Sequence, residues 1–141
     1  MPESGPEKRY FTLDEANAYV PVLEKWLGNM KDLRARSAAL QEELTTVLAN
    51  VHLNTGGRAA SDFAVILHRL QTYTARIREE GILVRDVESG LVDFPSIRAE
   101  REVFLCWKLG EENVQHWHEL DTGFSGRKPI DEHDDDTPER T

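Results

Sequence analysis

The feature that most constrains the fold is a long stripe of apolar and small residues in the first third of the chain. Its steps alternate between three and four residues, except for two consecutive threes around Met30: Leu13, Ala16, Val20, Leu23, Leu27, Met30, Leu33, Ser37, Leu40, Leu44, Val47 and Val51. The pattern is close to the heptad repeat of coiled coils, with one stammer. It predicts an amphipathic helix of about 38 residues, on the order of 50 Å long.

Two features mark where this helix begins and where it is interrupted. Thr12 can cap the first turn, and Glu15 can complete a capping box. Pro21 lies inside the pattern and removes one backbone hydrogen bond. We therefore expect a kink near Pro21, or a short first piece divided from the long helix.

A second, shorter stripe predicts a helix of about 22 residues over 59–80, which Gly81 would end. Its apolar face consists of Phe63, Ile66, Leu67, Leu70, Tyr73, Thr74 and Ile77. We expect the two helices to form an antiparallel hairpin over 12–80. Because the first helix is longer, part of its apolar face lacks an intrachain partner, and this predicts a homodimer through the helices. Alternatively, the sheet covers the surplus.

The periodicity then changes from helical to alternating, which predicts strands at 82–86, 91–94, 103–107 and 114–118. Pro95 is expected to end the second of these strands. The fold class is therefore α+β, with a helical hairpin followed by a small antiparallel sheet of about four strands. We predict one domain over 11–130, with the β part at 81–130. Residues 1–10 and the acidic segment 131–141 are expected to be disordered.

The third strand is apolar on both faces, so we expect it to be covered on both sides. Its pairing with the fourth strand has two possible registers. In one register, Trp107 faces His116. A slip by one residue instead places Cys106 opposite His116 and Phe104 opposite His118, which builds a cysteine and histidine cluster. The sequence does not choose between these registers.

The same hairpin offers a candidate metal site. His116 and His118 are two residues apart on one strand, and Cys106 with Glu111 or Glu119 could complete the ligand set. Imidazole and thiolate suit zinc or another transition metal. The competing interpretation is that both histidines pack beside tryptophan with their nitrogens hydrogen bonded. The absence of a CxxC pair and of an HExxH helix favours that interpretation.

Other candidate sites have simpler explanations. Cys106 could be a nucleophile with His116 as its base, which would need the slipped register, but an apolar surrounding indicates an inert buried thiol. Arg127 and Lys128 follow a glycine-flanked loop that could bind a small anion, although the spacing is not that of a P-loop. The preferred interpretation is an ordinary surface loop in which Arg127 pairs with one of the many acids. Asp86, Glu88 and Asp93 flank the first β-hairpin and could supply a carboxylate pair for acid-base chemistry, but acids at turns and edges usually serve solubility.

Charge and composition exclude several classes of function. The net charge of −9 and the pI of about 5.0, without a basic block, argue against nucleic-acid binding and against docking on anionic membranes. No apolar run is long enough to cross a bilayer, and residues 1–10 lack the apolar core of a signal peptide. The single cysteine permits no intrachain disulfide. We therefore expect a cytoplasmic protein.

Several motifs together resemble those of a small bacterial family known as domain of unknown function 2203. They are Phe11-Thr12-Leu13, Gly81-Ile82, the segment from Gly90 to Pro95, Leu105-Cys106-Trp107-Lys108-Leu109-Gly110-Glu111, Trp117-His118 and Gly123-Phe124-Ser125-Gly126-Arg127. The resemblance spans roughly residues 10–130. It implies a compact domain of helices followed by a small sheet, and no activity, cofactor or catalytic residue.

Two functional hypotheses follow from the sequence. The long amphipathic helices and the lack of a catalytic signature favour a non-enzymatic oligomeric or interaction module. The alternative is a transition-metal-binding protein, with enzymatic activity left open, whose site lies on the hairpin from Cys106 to His118.

Overall fold

The computed structural model describes residues 9–49 and 56–130, and the fold is α+β, with helices followed by an antiparallel sheet. The segments expected to be disordered lie outside the described residues, apart from residues 9 and 10. None of the described helices is long and apolar enough to span a membrane.

Within residues 9–49 the first helical stripe forms two helices. Helix α1 spans Leu13–Ala18 and helix α2 spans Val20–Ala49, with the break at Tyr19. The capping box is confirmed, because the Glu15 amide donates to Thr12 Oγ1 at 3.1 Å and the Thr12 amide donates to Glu15 Oε1 at 2.9 Å. Pro21 lies in the first turn of α2, where its missing N–H leaves no helical bond unmade.

The third helix, α3, spans Gly56–Glu79 and packs against α2. Asn29 Nδ2 donates to the Tyr73 hydroxyl at 3.0 Å, and the Arg76 guanidinium lies 5.5 Å from the centre of the Trp26 ring. Among the stripe residues of α2 whose side chains the structure describes, burial is confined to the first half. The last buried one is Leu33, and Ser37, Leu40 and Leu44 after it are half-buried.

Across the described residues the sheet has five strands rather than about four, and they pair in chain order. They are β1 (Leu83–Asp86), β2 (Leu91–Arg98), β3 (Arg101–Lys108), β4 (His116–Glu119) and β5 (Lys128–Pro129). The additional strand, β5, has only two residues, and its pairing with β4 arises from a loop folding back rather than from its own sequence pattern. Such a short strand carries no periodicity that a sequence could show.

We expected the second strand to end at Pro95, but it continues to Arg98. Neighbouring groups explain this extension. The Phe11 amide donates to the Pro95 carbonyl at 2.8 Å, and Ser96 Oγ donates to the Phe11 carbonyl at 2.6 Å. The N-terminal segment therefore holds the strand in place around the proline, and β2 reaches β3 through a tight turn at Ala99 and Glu100.

The two faces of the sheet differ in chemistry. One face carries Val92, Phe94, Leu105 and Trp107, which pack with apolar residues of the helices in the main core. The opposite face is also buried at the centre of β3, as expected for a strand covered on both sides, but it carries polar groups. There Asp93, Cys106 and His118 are each no more than 2% exposed. Burial of such groups requires partners, and those partners define the candidate site.

Candidate metal centre

The register between β3 and β4 brings the polar residues together. Cys106 pairs with His116, and Phe104 pairs with His118. This is the second of the two registers that the sequence allowed. Asp93 on β2 is the partner of Cys106 on its other side. Because paired residues project to the same face of a sheet, three strands deliver their polar side chains to one place.

Three of these side chains form a compact cluster. One potential ligand atom each from Asp93, Cys106 and His118 lies within 4.8 Å of the other two. The atoms are a carboxylate oxygen, a thiol sulfur and an imidazole nitrogen. All three residues are buried. This donor set is the mixture that zinc and related metals accept.

Hydrogen bonds fix the orientation of the His118 ring. Nδ1 lies 2.8 Å from the Glu119 carbonyl oxygen, which can only accept, so Nδ1 carries a proton. Nε2 lies 3.0 Å from Oδ1 of Asp93. Metal-binding histidines commonly donate one N–H to a backbone carbonyl in this way and present the other nitrogen to the ion. The ring also lies against Phe104, with 5.5 Å between the ring centres.

Asp93 is oriented from its other oxygen. Arg85 Nε donates to Oδ2 at 2.8 Å, and the Arg85 guanidinium lies 4.9 Å from the centre of the Phe104 ring. The Asp93 side chain is 3% exposed, whereas that of Arg85 is 43% exposed. Arg85 therefore neutralises a buried carboxylate from the solvent side and leaves Oδ1 facing His118.

Cys106 is fully buried and unreactive in this arrangement. Burial, with a further contribution from the Asp93 carboxylate, raises the pKa of the thiol from 9.0 to about 12. Both nitrogens of His118 are already engaged, with Asp93 and with the Glu119 carbonyl. The base that the sequence offered was His116, and the register does place it opposite Cys106, but its Nδ1 accepts from Arg127 Nη2 at 2.9 Å. This bond and the burial of the thiol argue against a nucleophilic pair.

The other predicted ligands lie in an adjacent network around Arg127. Nη1 and Nη2 of Arg127 each lie 2.9 Å from an oxygen of Glu111, and Nη2 also donates to His116 Nδ1 at 2.9 Å. Burial alone would raise the pKa of Glu111, but the bonds from Arg127 and the Lys108 amide outweigh it and lower that pKa. Arg127 thus holds both His116 and Glu111, and neither contributes one of the three ligand atoms that lie within 4.8 Å of one another.

The two residues expected to bind an anion are engaged with acids. Arg127 has its bidentate pair with Glu111, and Lys128 Nζ lies 3.4 Å from Glu119 Oε2. The 52% exposed side chain of Lys128 also lies 4.8 Å from the centre of the Trp117 ring. These partners neutralise most of the positive charge that an anion would need. Glu119, the other possible ligand, faces Arg101 and Lys128.

Sequence reasoning missed Asp93 as a member of the cluster. An available signal was its position in an apolar strand, since it alternates with Val92 and Phe94 on the opposite face. An acid in the middle of a buried strand calls for a partner, unlike the acids of the preceding turn. Asp86 and Glu88, by contrast, are exposed, and the Ser89 side chain and amide hydrogen bond to Asp86 and lower its pKa.

Comparison with known proteins places the chain in a family. The family described as "Uncharacterized conserved protein (DUF2203)" matches residues 9–130, which include every residue of the cluster and of the Arg127 network. No curated protein and no solved structure matches the chain significantly. Because the match covers most of the sequence, the chain belongs to the DUF2203 family of uncharacterized conserved proteins.

Proposed function

We propose that this protein binds a transition metal ion, zinc in the first instance, through Asp93, Cys106 and His118. The observation that carries the proposal is the convergence of three chemically different ligand atoms within 4.8 Å in a buried place. Three adjacent strands supply them. Acidic groups cluster on many protein surfaces without binding an ion, but a buried cysteine, histidine and aspartate together are a much more selective donor set.

The surrounding hydrogen bonds support the same role. The Glu119 carbonyl holds Nδ1 of His118, and Arg85 holds Oδ2 of Asp93. His118 and Asp93 are thus each oriented by a hydrogen bond on the side away from the site, as in known metal centres. A bound ion would replace the direct contact between His118 Nε2 and Asp93 Oδ1. It would also convert the Cys106 thiol to a thiolate, because a coordinating thiol is deprotonated.

The donor set also selects among metals. Calcium and magnesium prefer oxygen ligands, so a thiol and an imidazole disfavour them. Zinc accepts sulfur, nitrogen and oxygen in tetrahedral geometry. Three protein ligands leave one position for water, a substrate or a fourth residue.

Metal content and stability test the proposal. The purified full chain is expected to contain about one equivalent of zinc, or to take it up after chelation. Zinc at a hundred times its dissociation constant should stabilise the fold by about 2.7 kcal/mol, seen as a rise in Tm. Cys106→Ala, His118→Gln and Asp93→Asn should each weaken uptake. His68→Gln, on the exposed side of α3, is the matched control and should bind like the wild type.

A clear negative result is available. Metal below about a tenth of an equivalent after zinc loading, with no change in Tm, would contradict the proposal. Equal binding by the wild type and by all three cluster variants would place any bound zinc elsewhere on the chain.

A second candidate function is association through the helices, as a homodimer in which α2 and α3 form an antiparallel hairpin kinked near Pro21. Two observations favour it. Leu67 on α3 is 41% exposed and lines a groove of about 400 Å³ together with Leu70 and Ala75. The second half of the α2 stripe is at most half-buried wherever its side chains are described. Apolar faces of this kind are commonly covered by a second subunit in a coiled-coil-like contact.

Light scattering at micromolar concentration tests this association. A dimer should be observed, and Leu67→Glu should shift it towards monomer. Leu120→Glu is a suitable control, since Leu120 is 49% exposed but lies outside the helices. A monomer at all concentrations would remove this candidate and leave the metal proposal unaffected.

The absence of cysteine pairs and the thiol ligand fit a reducing compartment, so we propose that either role is exercised in the cytoplasm.

A further inference from the structure

We propose that His116 is the fourth metal ligand and that a hydrogen bond from Arg127 keeps it away from the site until the ion binds. This inference rests on the proposed metal-binding function and names the residue that completes the same site. It predicts a closed Asp-Cys-His-His centre rather than one with an open coordination position. Closed four-ligand centres are typical of structural zinc sites.

The position of His116 makes this exchange feasible. Its Cα is the direct partner of Cys106 across β3 and β4, so the two side chains project from the same face. Side chains in that relation have Cβ atoms about 4.5–5.5 Å apart. A zinc ion lies about 2.3 Å from a thiolate and about 2.0 Å from an imidazole nitrogen, so the ring must come within about 4 Å of the sulfur. A rotamer change at a half-buried residue can achieve this.

The lone pair of His116 is at present occupied by Arg127. A guanidinium can only donate, so His116 Nδ1 is the acceptor in its 2.9 Å bond with Arg127 Nη2. That bond keeps the accepting nitrogen away from the cluster. The metal and Arg127 therefore compete for one histidine, which makes the Arg127 contact a determinant of metal affinity.

Releasing His116 leaves Arg127 with its main partner. The bidentate pair with Glu111 does not involve the histidine, so the positive charge stays matched when His116 turns away. Within the described part of the chain, the buried Nε of Arg127 has no hydrogen-bond partner. A buried donor without a partner costs free energy, so the guanidinium is not fully satisfied in its present position.

Titration of the metal-free full chain with Co²⁺ tests the inference. The wild type should show the strong visible absorption of four-coordinate cobalt and a thiolate charge-transfer band. His116→Gln keeps an acceptor for Arg127 but removes the nitrogen ligand. It should weaken Co²⁺ binding on the order of tenfold to a hundredfold and reduce the visible absorption, while the thiolate band remains.

A double-mutant cycle then tests the role of Arg127. Arg127→Met should tighten Co²⁺ binding when His116 is present, because the histidine is then free to bind the ion. In the His116→Gln background the same substitution should tighten binding much less. An equal gain in both backgrounds would mean that only the charge of Arg127 matters, which would overturn its proposed hold on His116. If Arg127→Met does not fold, the His116→Gln spectra decide the ligand question without it.

The outcomes separate this inference from the proposed function. Co²⁺ binding by His116→Gln with wild-type affinity and absorption would overturn the fourth ligand and leave the three-residue site standing. A wild type that binds no Co²⁺ would overturn both. His68→Gln, from an exposed position on α3, is the control for loss of a histidine and should behave as the wild type.

Discussion

Removing the Cys106 thiol should make the stability of the metal-free protein less sensitive to alkaline pH. The pKa of this thiol is raised from 9.0 to about 12 by burial and by Asp93. Between those values the unfolded chain releases the proton while the folded chain keeps it. The folded state then binds more protons, so stability falls as pH rises. The contribution of the thiol is fully present below 9.0 and is lost towards 12.

The size of the effect follows from the same shift. Well above the lower pKa, each pH unit removes about 1.4 kcal/mol from the free energy of unfolding. At about pH 10 the wild type should have lost on the order of 1 kcal/mol through Cys106 alone. Cys106→Ala leaves a small void and should be about 1 kcal/mol less stable at neutral pH. The difference between the two proteins should therefore close, or nearly close, at about pH 10.

Urea unfolding with chelator and reductant present measures this difference at several pH values. All other titrating groups occur in both proteins, and those away from Cys106 contribute equally, so they cancel when the two free energies are subtracted. A difference that stays constant from neutral to about pH 10 would refute the reasoning, because it would mean that the thiol titrates alike in the folded and unfolded chains.

Three further predictions concern the frame around the site, each measured as the free energy of unfolding in urea. Glu100 has φ of 62° in the β2–β3 turn, so Glu100→Gly should stabilise the fold by about 1 kcal/mol, and a loss of stability would contradict the strain argument. Gly90 has φ of 71°, and a Cβ there would lie 2.5 Å from Cβ of Leu109. Gly90→Ala should therefore cost about 2–3 kcal/mol, and a neutral result would show that the turn adjusts easily. Thr12→Ala removes one half of the capping box with Glu15 and should cost about 1 kcal/mol, whereas an unchanged midpoint would mean that α1 contributes little to the cooperative unit.

Local features were predicted well because they depend on neighbouring residues. The capping box at Thr12 and Glu15 is present as expected. The order of helices followed by strands is confirmed, and it could be read from the change of periodicity near Gly81. Where Pro21 interrupts the stripe, the structure has two helices meeting at Tyr19. A pattern of this kind identifies a helix or strand but does not fix the residues at which it begins and ends.

The continuation of β2 beyond Pro95 shows where such reasoning stops. Proline lacks the N–H that a central strand uses, so an end to the strand was the natural expectation. The strand continues because Phe11, far away in the sequence, donates to the Pro95 carbonyl and accepts from Ser96. That compensation is a contact between distant segments, and the residues next to Pro95 give no indication of it.

The candidate site divides in the same way. The sequence by itself determined that Cys106, His116 and His118 would lie on adjoining strands, because alternation and turn residues define that hairpin. Only the tertiary structure decided that Cys106 faces His116, that Asp93 on β2 lies beside Cys106, and that Arg127 donates a hydrogen bond to His116. The physical reason is that strand register shifts by whole residues and moves every side chain to the other face. The packing of the whole sheet on the helices chooses one register, and a local pattern does not contain that information.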